Sequence, residues 1–474
     1  MRKSLLSLFS LLVISSLFLT ACGSAPTEAP TEEVMTEAPT EAVEEATEAP
    51  TEAEPEAEPV ELAMWVMPNG ADPQGAIDAE IAAFNEMYPN INVTAEIVGW
   101  GDAYGRIQTA AQGGEGPCLT QLGTTWVPTF GSMGGLQPFT DAQIAELGGV
   151  DNFVAASWET AGLEGETVSI PWFADVRVLA YREDIFEEVG LDPDEVFADL
   201  DSFEAGLTAI RDAGITDADG IPVAPFLHPG RNDWNVWQNA ASWIWAYGGE
   251  LLDESGTEAV FNSPEAVAGV TRFDSLYSKG LTPEDTLELN SSQADSRFGE
   301  GTVATYMTGP WVISLARDPE NSGWVEAPAE NLAFAPFPAG PGGEYTFIGG
   351  SNLSIMKGCE HQEEAMTFVK FLLSKESQIR YANAIGMLPV TMEAQTDPVF
   401  TEDPLFSVFI DAAPNGKTSR NIAEWGQVEN NLQTALQSLW EDVAALGIGG
   451  ETIDEAVVQE RLDDAAATVN SLIQ

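Results

Sequence analysis

Short apolar runs and amphipathic stretches alternate along the chain from residue 60 onwards. The run VELAMWV over residues 60–66 is typical of a buried strand, because nearly all of its side chains are apolar. The next segment, DPQGAIDAEIAAFNEMYPN, places Ile77, Ile81 and Phe84 at helical spacing and ends at Pro89. This pattern predicts a buried strand followed by an amphipathic helix.

The same alternation then leads to a third strand. INVTAEIVGW alternates apolar and polar side chains, as a strand with one buried face does, and GDAYGRIQTAAQGG predicts a short helix that ends in glycines. CLTQLGTTW, which starts at Cys118, predicts another strand. Such a strand and helix order predicts an open α/β sheet, in which ligands bind beyond the carboxyl ends of the strands. Trp100 and residues 124–126 fall at two of these ends.

Helical periodicity dominates the other end of the chain. The segment VENNLQTALQSLWEDV carries one apolar face, formed by Val428, Leu432, Leu436, Leu439 and Val443. The last segment, TIDEAVVQERLDDAAATVNSLI, opens with Thr452 and Glu455, a spacing that predicts a capping box at the start of a helix. Both segments are predicted to be packing helices.

The start of the chain has the pattern of an export signal. Arg2 and Lys3 precede an apolar run from Leu5 to Leu19, which is short for a bilayer span. The Leu-Thr-Ala-Cys sequence at its end resembles the lipobox of bacterial lipoproteins. Residues 1–21 are therefore predicted to be a signal peptide, and Cys22 a lipidated anchor. An ordinary signal peptide beside an unmodified cysteine is the alternative.

A repetitive acidic tract follows the cysteine. It repeats TEAP, runs into EAEPEAEP and contains almost no large apolar side chain, so burial cannot offset the entropy of ordering it. Proline and mutually repelling glutamates keep such a chain extended. Residues 22–59, the lipidated cysteine and a disordered Thr/Glu/Ala/Pro linker, are therefore predicted to form a stalk. An acidic tail that binds a partner is the alternative.

Composition limits the functions open to the body of the chain, residues 60–474. Its length, about 415 residues, suits two lobes. The full chain has 18 basic and 76 acidic residues, a formal net charge of −58, which argues against nucleic acid and polyanionic ligands. Two histidines and two cysteines beyond Cys22 supply little material for Ser-His-Asp catalysis or for a zinc site. No metal or cofactor is therefore expected.

Six motifs follow one another in the order of a known family. They are VGWGDAYGRIQTAA, QLGTTWVPTFGSMGGLQPF, SIPWFADVRVLAYRED, MTGPWVI, IGGSNLSIMKG followed by EEAMTFVKFLLS, and IGMLPV. With these motifs behind a lipobox, the chain resembles family 1 extracellular solute-binding proteins, the sugar receptors of ABC importers and relatives of maltose-binding protein. The resemblance covers nearly the whole body.

The resemblance implies an α/β fold of the type II periplasmic-binding-protein kind, with two discontinuous lobes joined by a hinge. The N-lobe would comprise residues 60–174 and 352–390, and the C-lobe residues 175–351 and 391–474. The lobe crossings are expected from Ala174 to Val176, near Gly349 to Ser351 and after Val390, because PWFAD and IGGS match the lobe-crossing strands of the family. The family implies a monomeric, lipid-anchored receptor on the extracytoplasmic face of the bacterial cell membrane. It would bind a mono- or oligosaccharide between the lobes, close, and deliver it to an ABC permease.

Sugar capture needs aromatic faces and paired polar groups, and both occur at the matching positions. A pyranose stacks its C–H face on aromatic rings, and its hydroxyls need donors and acceptors. The candidate ligand-binding residues are Trp100, Asp102, Thr125, Trp126, Trp172, Asp175, Arg177, Trp234, Trp311, Gly350, Ser351 and Trp425. Trp126 and Trp172 are expected to stack on the sugar, while Asp102 and Asp175 take its hydroxyls. A packing role is the alternative for each tryptophan.

Two cysteines remain in the body. Cys118 opens one predicted strand and Cys359 closes another, and in the family fold these strands are antiparallel neighbours. The resemblance thus brings the two sulfurs within reach of a disulfide, which an exported protein retains. Two unpaired buried thiols, which behave as small apolar side chains, are the alternative.

Two further function classes stay open on the residues alone. A cell-surface glycoside hydrolase also pairs tryptophans with carboxylates, and 76 acidic residues supply candidates for a catalytic pair. A receptor for another solute, such as a peptide or a polyol, would share the hinge pattern. Because the sequence contains no motif that resembles a hydrolase, a receptor without enzymatic activity is predicted.

Overall fold

The computed structural model describes residues 59–217, 219–233 and 236–473. The predicted signal peptide, the anchor Cys22 and the linker up to residue 58 lie outside the described residues, as does Trp234. Within the described ranges, no helix combines the length and the apolar content that a membrane span needs.

The strands are numbered in chain order. They are β1 Val60–Val66, β2 Ile91–Ile97, β3 Leu119–Gly123, β4 Gly162–Leu163, β5 Glu166–Thr167, β6 Ile170–Val176, β7 Val178–Arg182, β8 Ala224–Leu227, β9 Val303–Thr308, β10 Leu332–Ala335, β11 Thr346–Ile355, β12 Leu388–Pro389 and β13 Gly416–Lys417.

The helices are numbered in the same way. They are α1 Pro73–Met87, α2 Trp100–Gly113, α3 Val127–Ser132, α4 Asp141–Glu146, α5 Ala155–Trp158, α6 Glu183–Val189, α7 Pro193–Val196, α8 Leu200–Ala213, α9 Val236–Ala246, α10 Pro264–Ser278, α11 Ser291–Gly299, α12 Val312–Arg317, α13 Pro319–Ser322, α14 Glu326–Glu330, α15 Gln362–Leu372, α16 Lys375–Ile385, α17 Met392–Gln395, α18 Pro398–Thr401, α19 Pro404–Ala412, α20 Trp425–Leu446 and α21 Glu455–Leu472.

The predicted strand and helix order at the start of the body is confirmed. β1 pairs in parallel with β2 along its full length and also with β3. Between β1 and β2, α1 begins after Asp72, whose side chain accepts a hydrogen bond from the Gly75 N–H. The helix buries Ile77, Ile81 and Phe84, as their spacing predicts. The large sheet runs in the order β12-β6-β11-β3-β1-β2, with β13 paired to β11.

A second sheet runs in the order β10-β7-β9-β8. β7 is antiparallel to both β10 and β9, and β8 is parallel to β9. β6 belongs to the large sheet and β7 to the second sheet, and Arg177 alone separates them in sequence. The chain therefore passes from one sheet to the other at Arg177. These two sheets with their helices confirm the α/β class.

Helices α9, α20 and α21 contribute to a large apolar core. In α9, Trp243 and Trp245 are buried, as expected of core aromatics. α20 buries the whole predicted apolar face described above. The predicted capping box of α21 is wrong, because Asp454 caps the helix and accepts a hydrogen bond from the Ala456 N–H. Asp454 is an equally good cap residue and lies directly before the first helical turn.

A disulfide joins Cys118 to Cys359, with their Cα atoms 4.6 Å apart. β3 and β11 are antiparallel neighbours, and their register aligns Leu119 with Ile355. The start of β3 therefore lies beside the end of β11, as the family fold implied. The bond links two parts of the large sheet that are 241 residues apart in sequence.

Candidate functional site

A cavity of about 450 Å³ lies at the junction of the two sheets. The large sheet contributes Gly123 at the end of β3, Asp175 on β6 and Ser351 on β11. Two further lining residues are Asp295, which lies on α11, and Trp311, which lies directly before α12. The volume falls in the range of roughly 300–1,000 Å³ that is typical of small-molecule sites.

The backbones of β11 and β6 approach closely at Gly350. Gly350 has a φ of +129°, and a Cβ atom there would lie 2.2 Å from the carbonyl oxygen of Phe173. Only glycine fits this position without displacing β6. The pairing of the two strands shifts register between Ser351 and Asn352, which marks a bulge. Gly350 and Ser351 both line the cavity at this irregularity.

Arg177 is the buried cation of the cavity, with a side chain that is only 4% exposed. Its Nη2 donates to Gln238 Oε1 at 3.1 Å and lies 3.7 Å from Asp175 Oδ2. Its guanidinium carbon lies 4.6 Å from the centre of the Trp311 ring, a cation–π contact. Burial raises the pKa of Asp175, and the charge of Arg177 opposes this rise.

Two polar atoms of this ion pair lack a hydrogen-bond partner within the described part of the chain. They are Asp175 Oδ1 and Arg177 Nε, and both are buried. A buried polar atom without a partner costs about 1–3 kcal/mol, and a polar ligand would reduce that cost by supplying one. The pair therefore keeps unused hydrogen-bonding capacity beside the cavity.

A second carboxylate, Asp295, fixes the orientation of Trp311. Trp311 Nε1 donates to Asp295 Oδ1 at 3.0 Å, and the Tyr306 hydroxyl donates to the same oxygen at 2.9 Å. Burial raises the pKa of Asp295 to about 6, although both hydrogen bonds favour the ionised form. The indole is thus held at its nitrogen by Asp295 and at its face by Arg177.

A buried hydrogen-bond network orients two polar residues of the lining, Asn69 and Ser351. Gln121 Nε2 donates to Ser351 Oγ at 2.8 Å, and Gln121 Oε1 accepts from Asn69 Nδ2 at 3.0 Å. Asn69 Nδ2 also donates to the Tyr381 hydroxyl at 3.2 Å. Because these partners are buried, they hold Asn69 and Ser351 in place before a ligand enters.

Many of the predicted site residues meet at this cavity. Its lining includes Trp100, Thr125, Asp175, Arg177, Trp311, Gly350 and Ser351. Asp102 is exposed in the first turn of α2 and does not belong to the lining, and Trp234 lies outside the described residues. Ligand contact by the lining residues stays a prediction.

Three predicted tryptophans are packing residues in this structure and do not line the cavity. Trp172 is fully buried and stacks on Tyr381, with 4.5 Å between ring centres. Trp425 is fully buried against Trp237, with 5.3 Å between ring centres. Trp126 is 3% exposed and packs edge-on against Trp100. Stacking of a sugar on Trp126 or Trp172 stays a prediction, and neither residue lines this cavity.

Trp172 stays outside the cavity lining, whereas Phe173 and Asp175, two residues apart on β6, belong to it. Because Asp175 was already a site candidate, a period of two points to Phe173 rather than to Trp172. This signal was available in the sequence.

Sequence reasoning also missed several polar residues of the lining, including Asn69, Asp233, Gln238 and Asp295. Asn69 follows β1, so the rule that ligands bind beyond strand ends applies to it as well as to Trp100. Asp295 lies in SSQADSRF, a polar segment with the composition of a surface helix, and no local signal marks it. Its role depends on Tyr306 and Trp311, which the fold brings to it.

The arrangement suits binding of hydroxyl groups and of an apolar face. The carboxylates of the lining are engaged with neighbours: Asp175 with Arg177, Asp295 with Trp311, and Asp233 with Ser291, whose N–H and hydroxyl donate to it. Among the described residues, no group of three or more His, Cys, Asp or Glu side chains is placed to hold a metal ion.

Residues 79–408 match the model of a protein family described as bacterial extracellular solute-binding protein. The chain is also 26% identical over 376 residues to the diacetylchitobiose binding protein of Streptomyces coelicolor, an alignment that covers 78% of this chain and 82% of that protein. It is 22% identical over 352 residues to the maltotriose-binding protein of Pyrococcus abyssi, covering 72% and 69% of the two chains.

Solved structures share the fold. The maltose-bound MalE3 protein of T. maritima superimposes with a TM-score of 0.74 at 23% identity, covering 87% of this chain and 100% of that chain. A solute binding protein of Thermotoga lettingae, solved with alpha-D-tagatose, gives a TM-score of 0.74 at 22% identity, covering 88% and 100%. The predicted two-lobed α/β fold is thereby confirmed.

Proposed function

The chain belongs to the bacterial extracellular solute-binding proteins, and we propose that it is a receptor that binds a mono- or oligosaccharide in the cavity at the sheet junction. The observation that carries this proposal is the oriented Trp311 ring beside the buried, incompletely bonded pair Asp175 and Arg177. A pyranose requires this combination, because its C–H face stacks on aromatic rings while its hydroxyls need donors and acceptors. The relatives named for diacetylchitobiose and maltotriose support a sugar ligand.

The receptor would close around its ligand. Its N-lobe would comprise residues 60–174 and 352–390, and its C-lobe residues 175–351 and 391–474. The passage of the chain between the two sheets at Arg177 supports a hinge at that point. A ligand that contacts both lobes favours the closed state, because only that state allows all of its contacts.

The proposed receptor is a monomer that works at the membrane surface. In this proposal Cys22 carries the lipid and residues 22–59 form the stalk, so that the body stays on the extracytoplasmic face of the cell membrane. Two or more acyl chains are sufficient for stable anchoring. The loaded receptor would then deliver its sugar to the permease of an ABC importer. The extracellular family supports this location.

The proposed function leaves the sugar chemically unchanged. A glycoside hydrolase places two carboxyl groups across the bond that it cleaves. Here Asp175 pairs with Arg177 and Asp295 holds Trp311, so these carboxyl groups are engaged in positioning side chains. The relatives are named as binding proteins, which supports the same conclusion.

A thermal-shift screen tests the proposal on the chain without residues 1–21 and with Cys22→Ser. Mono- and oligosaccharides are compared with peptides and polyols at equal concentration. A ligand that binds only the folded state stabilises it by about 2.7 kcal/mol at 100 times its Kd, and Tm rises accordingly. We expect a saccharide to raise Tm and to be recovered intact. Stabilisation by a peptide or polyol alone, or release of new reducing ends, would contradict the proposal.

A further inference from the structure

A second chain segment lies beside the point at which the chain passes from one sheet to the other. β11 pairs with β6 of the large sheet, with Ile348 opposite Val176. The first two residues of β11, Thr346 and Phe347, precede that pairing and pair in parallel with β13. The start of β11 is therefore placed next to the crossing at Arg177.

Both backbone polar groups of Arg177 are bonded to this segment. The Arg177 N–H donates to the Phe347 carbonyl oxygen at 2.9 Å. The Arg177 carbonyl oxygen accepts a hydrogen bond from the Thr346 hydroxyl at 2.6 Å. All three residues are buried, so bulk water does not compete for these groups. Two hydrogen bonds, one on each side of the Arg177 Cα atom, thus hold the backbone at the crossing.

Of these two hydrogen bonds, the one from Thr346 depends on residue type. A β ladder joins backbone N–H groups to backbone carbonyl oxygens, so almost any residue can form it. Here a side-chain hydroxyl is the donor, which only a few residue types can supply. Threonine is also β-branched, which restricts its χ1 angle and keeps the hydroxyl directed at its acceptor. The sequence therefore encodes this bond at position 346.

Holding the backbone of Arg177 also fixes the origin of its side chain. The guanidinium donates to Gln238 Oε1 at 3.1 Å, lies 3.7 Å from Asp175 Oδ2 and contacts the Trp311 ring at 4.6 Å from its centre. Hydrogen bonds weaken steeply when their geometry is lost, so these contacts require a fixed guanidinium. Phe347 lines the same cavity, and its ring centre lies 5.9 Å from the guanidinium carbon.

The segment that carries Thr346 is itself held in place. Thr346 is aligned with Gly416 of β13, and a Cβ atom at Gly416 would lie 2.7 Å from the Cβ atom of Ile348. Only glycine allows β13 to approach β11 this closely. Thr346 does not line the cavity, so it influences a ligand only through the residues to which it is bonded.

From these contacts we infer that Thr346 is a positioning residue of the binding site. Its hydroxyl joins the start of β11 to the crossing at Arg177 and so holds the guanidinium in place for a ligand. The inference rests on the proposed sugar-binding function, because Arg177 is one of the residues that carry that proposal. It adds a residue outside the cavity on which sugar affinity depends.

Three variants of the chain with Cys22→Ser isolate this hydroxyl. Thr346→Val removes the hydroxyl and keeps the branching at Cβ, whereas Thr346→Ser keeps the hydroxyl and removes a methyl group. Thr305→Val is the matched control. Thr305 lies on β9, is buried, donates from its hydroxyl to the Pro225 carbonyl oxygen at 2.7 Å and does not line the cavity.

Calorimetry with the saccharide found by screening measures the affinity of each variant, and urea unfolding measures its stability. We expect Thr346→Val to weaken binding by about five- to tenfold, the scale of one hydrogen bond, and Thr346→Ser to restore it. Thr305→Val should lower the stability and keep the affinity. Equal affinities of the two valine variants, or a loss of affinity that serine does not reverse, would overturn the inference.

Hydrogen exchange read by mass spectrometry tests the Thr346 hydrogen bond without a sugar. In the free protein, Thr346→Val should speed exchange in the peptide that contains the Arg177 N–H, because local opening becomes easier, and Thr305→Val should leave that peptide unchanged. Unchanged exchange in Thr346→Val overturns the inference. Failure of every saccharide to bind contradicts the proposed function instead, and faster exchange in Thr346→Val then still supports the role of Thr346 at Arg177.

Discussion

Trp311 is the residue on which the proposed binding mode depends most. Its ring is oriented by Asp295 at the nitrogen and by Arg177 at one face, and it lines the cavity. Trp311→Ala removes the aromatic surface and should weaken binding of the saccharide found by screening by about 2 kcal/mol or more, on the scale of a hot-spot residue. This corresponds to an affinity loss of roughly 30-fold or more, which calorimetry measures directly.

Trp65 provides a matched control for this change. It also lies under an arginine, with the Arg106 guanidinium carbon 4.3 Å from its ring centre, but it does not line the cavity. Trp65→Ala should therefore keep the affinity of the unaltered protein. Normal binding by Trp311→Ala, or equal losses in the two variants, would show that the Trp311 ring is not a sugar contact.

The residue scale is also where sequence reasoning was least reliable. Residue type and family position identified Asp175, Arg177 and Trp311 as site residues, and all three line the cavity. Trp172 was favoured for its residue type and its family position, yet Phe173, two residues before Asp175 on β6, is the residue that lines the cavity. Chemical type indicates which residues suit a sugar, whereas the direction of each side chain depends on the strand.

At the scale of the elements, the contact between α10 and α20 contains a buried carboxyl group, and we expect this group to make the stability of the fold depend on pH. Asp274 is 3% exposed, and its Oδ1 accepts a hydrogen bond from Trp440 Nε1 at 2.9 Å. Burial raises the pKa of Asp274 from 3.8 to about 7. Because the folded state holds the proton more tightly, the contribution of Asp274 to stability is fully present below about pH 4 and is lost as the pH rises to about 7.

Asp274→Asn removes this titration and keeps an acceptor for Trp440. The free energy of unfolding in urea should exceed that of the unaltered protein by on the order of 2–4 kcal/mol at pH 8, and the gain should largely vanish at pH 4. The buried His228, whose pKa burial lowers to about 4, titrates in both proteins and cancels in the difference. A gain of equal size at both pH values would refute a buried, neutral carboxyl group at Asp274.

The disulfide links β3 to the segment after β11 and predicts a large effect on stability. The bond spans 241 residues, and in the chain-entropy model closing so long a loop stabilises the fold by roughly 5–6 kcal/mol. Replacing Cys118 and Cys359 together by serine should lower the free energy of unfolding by about that amount. Sugar affinity should stay unchanged, because neither cysteine lines the cavity.

Thiol titration supplies the direct check on this bond. The unfolded, unreduced chain with Cys22→Ser should react at no thiol, and after reduction it should react at two. Two reactive thiols before reduction would exclude the bond. Unchanged stability of the double serine variant would instead exclude its predicted contribution to the fold.

Elements with a local signal were predictable, and long-range pairings were not. β1, α1, β2, α2 and β3 follow from periodicities within each segment, and the structure confirms their order. The order β10-β7-β9-β8 of the second sheet joins segments that are far apart along the chain, and no pattern within a single segment encodes it. The start of α21 was misplaced because Thr452 and Asp454 are both good cap residues, and only the geometry selects Asp454.

At the scale of the whole molecule, the proposal requires the two lobes to move about the crossing at Arg177. Solution scattering of the chain with Cys22→Ser, with and without a saturating saccharide, should show a smaller radius of gyration in the bound state, because the ligand favours the closed form. The Trp311→Ala variant at the same saccharide concentration should show less compaction. Identical curves for the free and saturated protein would count against closure.

The order of the six motifs identified the two-lobed fold, whereas the polar lining of the cavity had no counterpart in the sequence. The order of motifs can be read directly along the chain. It identifies the fold even though the solved structures that share this fold are only 22–23% identical to the chain. The cavity lining brings together Asn69 and Asp295, which are more than 200 residues apart, and no pattern within one segment encodes this arrangement.

Isothermal titration calorimetry of the chain with Cys22→Ser, using the saccharide identified by screening, tests the central claim most directly. A receptor with this cavity should take up one equivalent of sugar, and the heat of each injection should return to the baseline because nothing is turned over. A sustained heat flow after each injection would indicate hydrolysis. The absence of binding heat with every saccharide that raises Tm would contradict a sugar receptor.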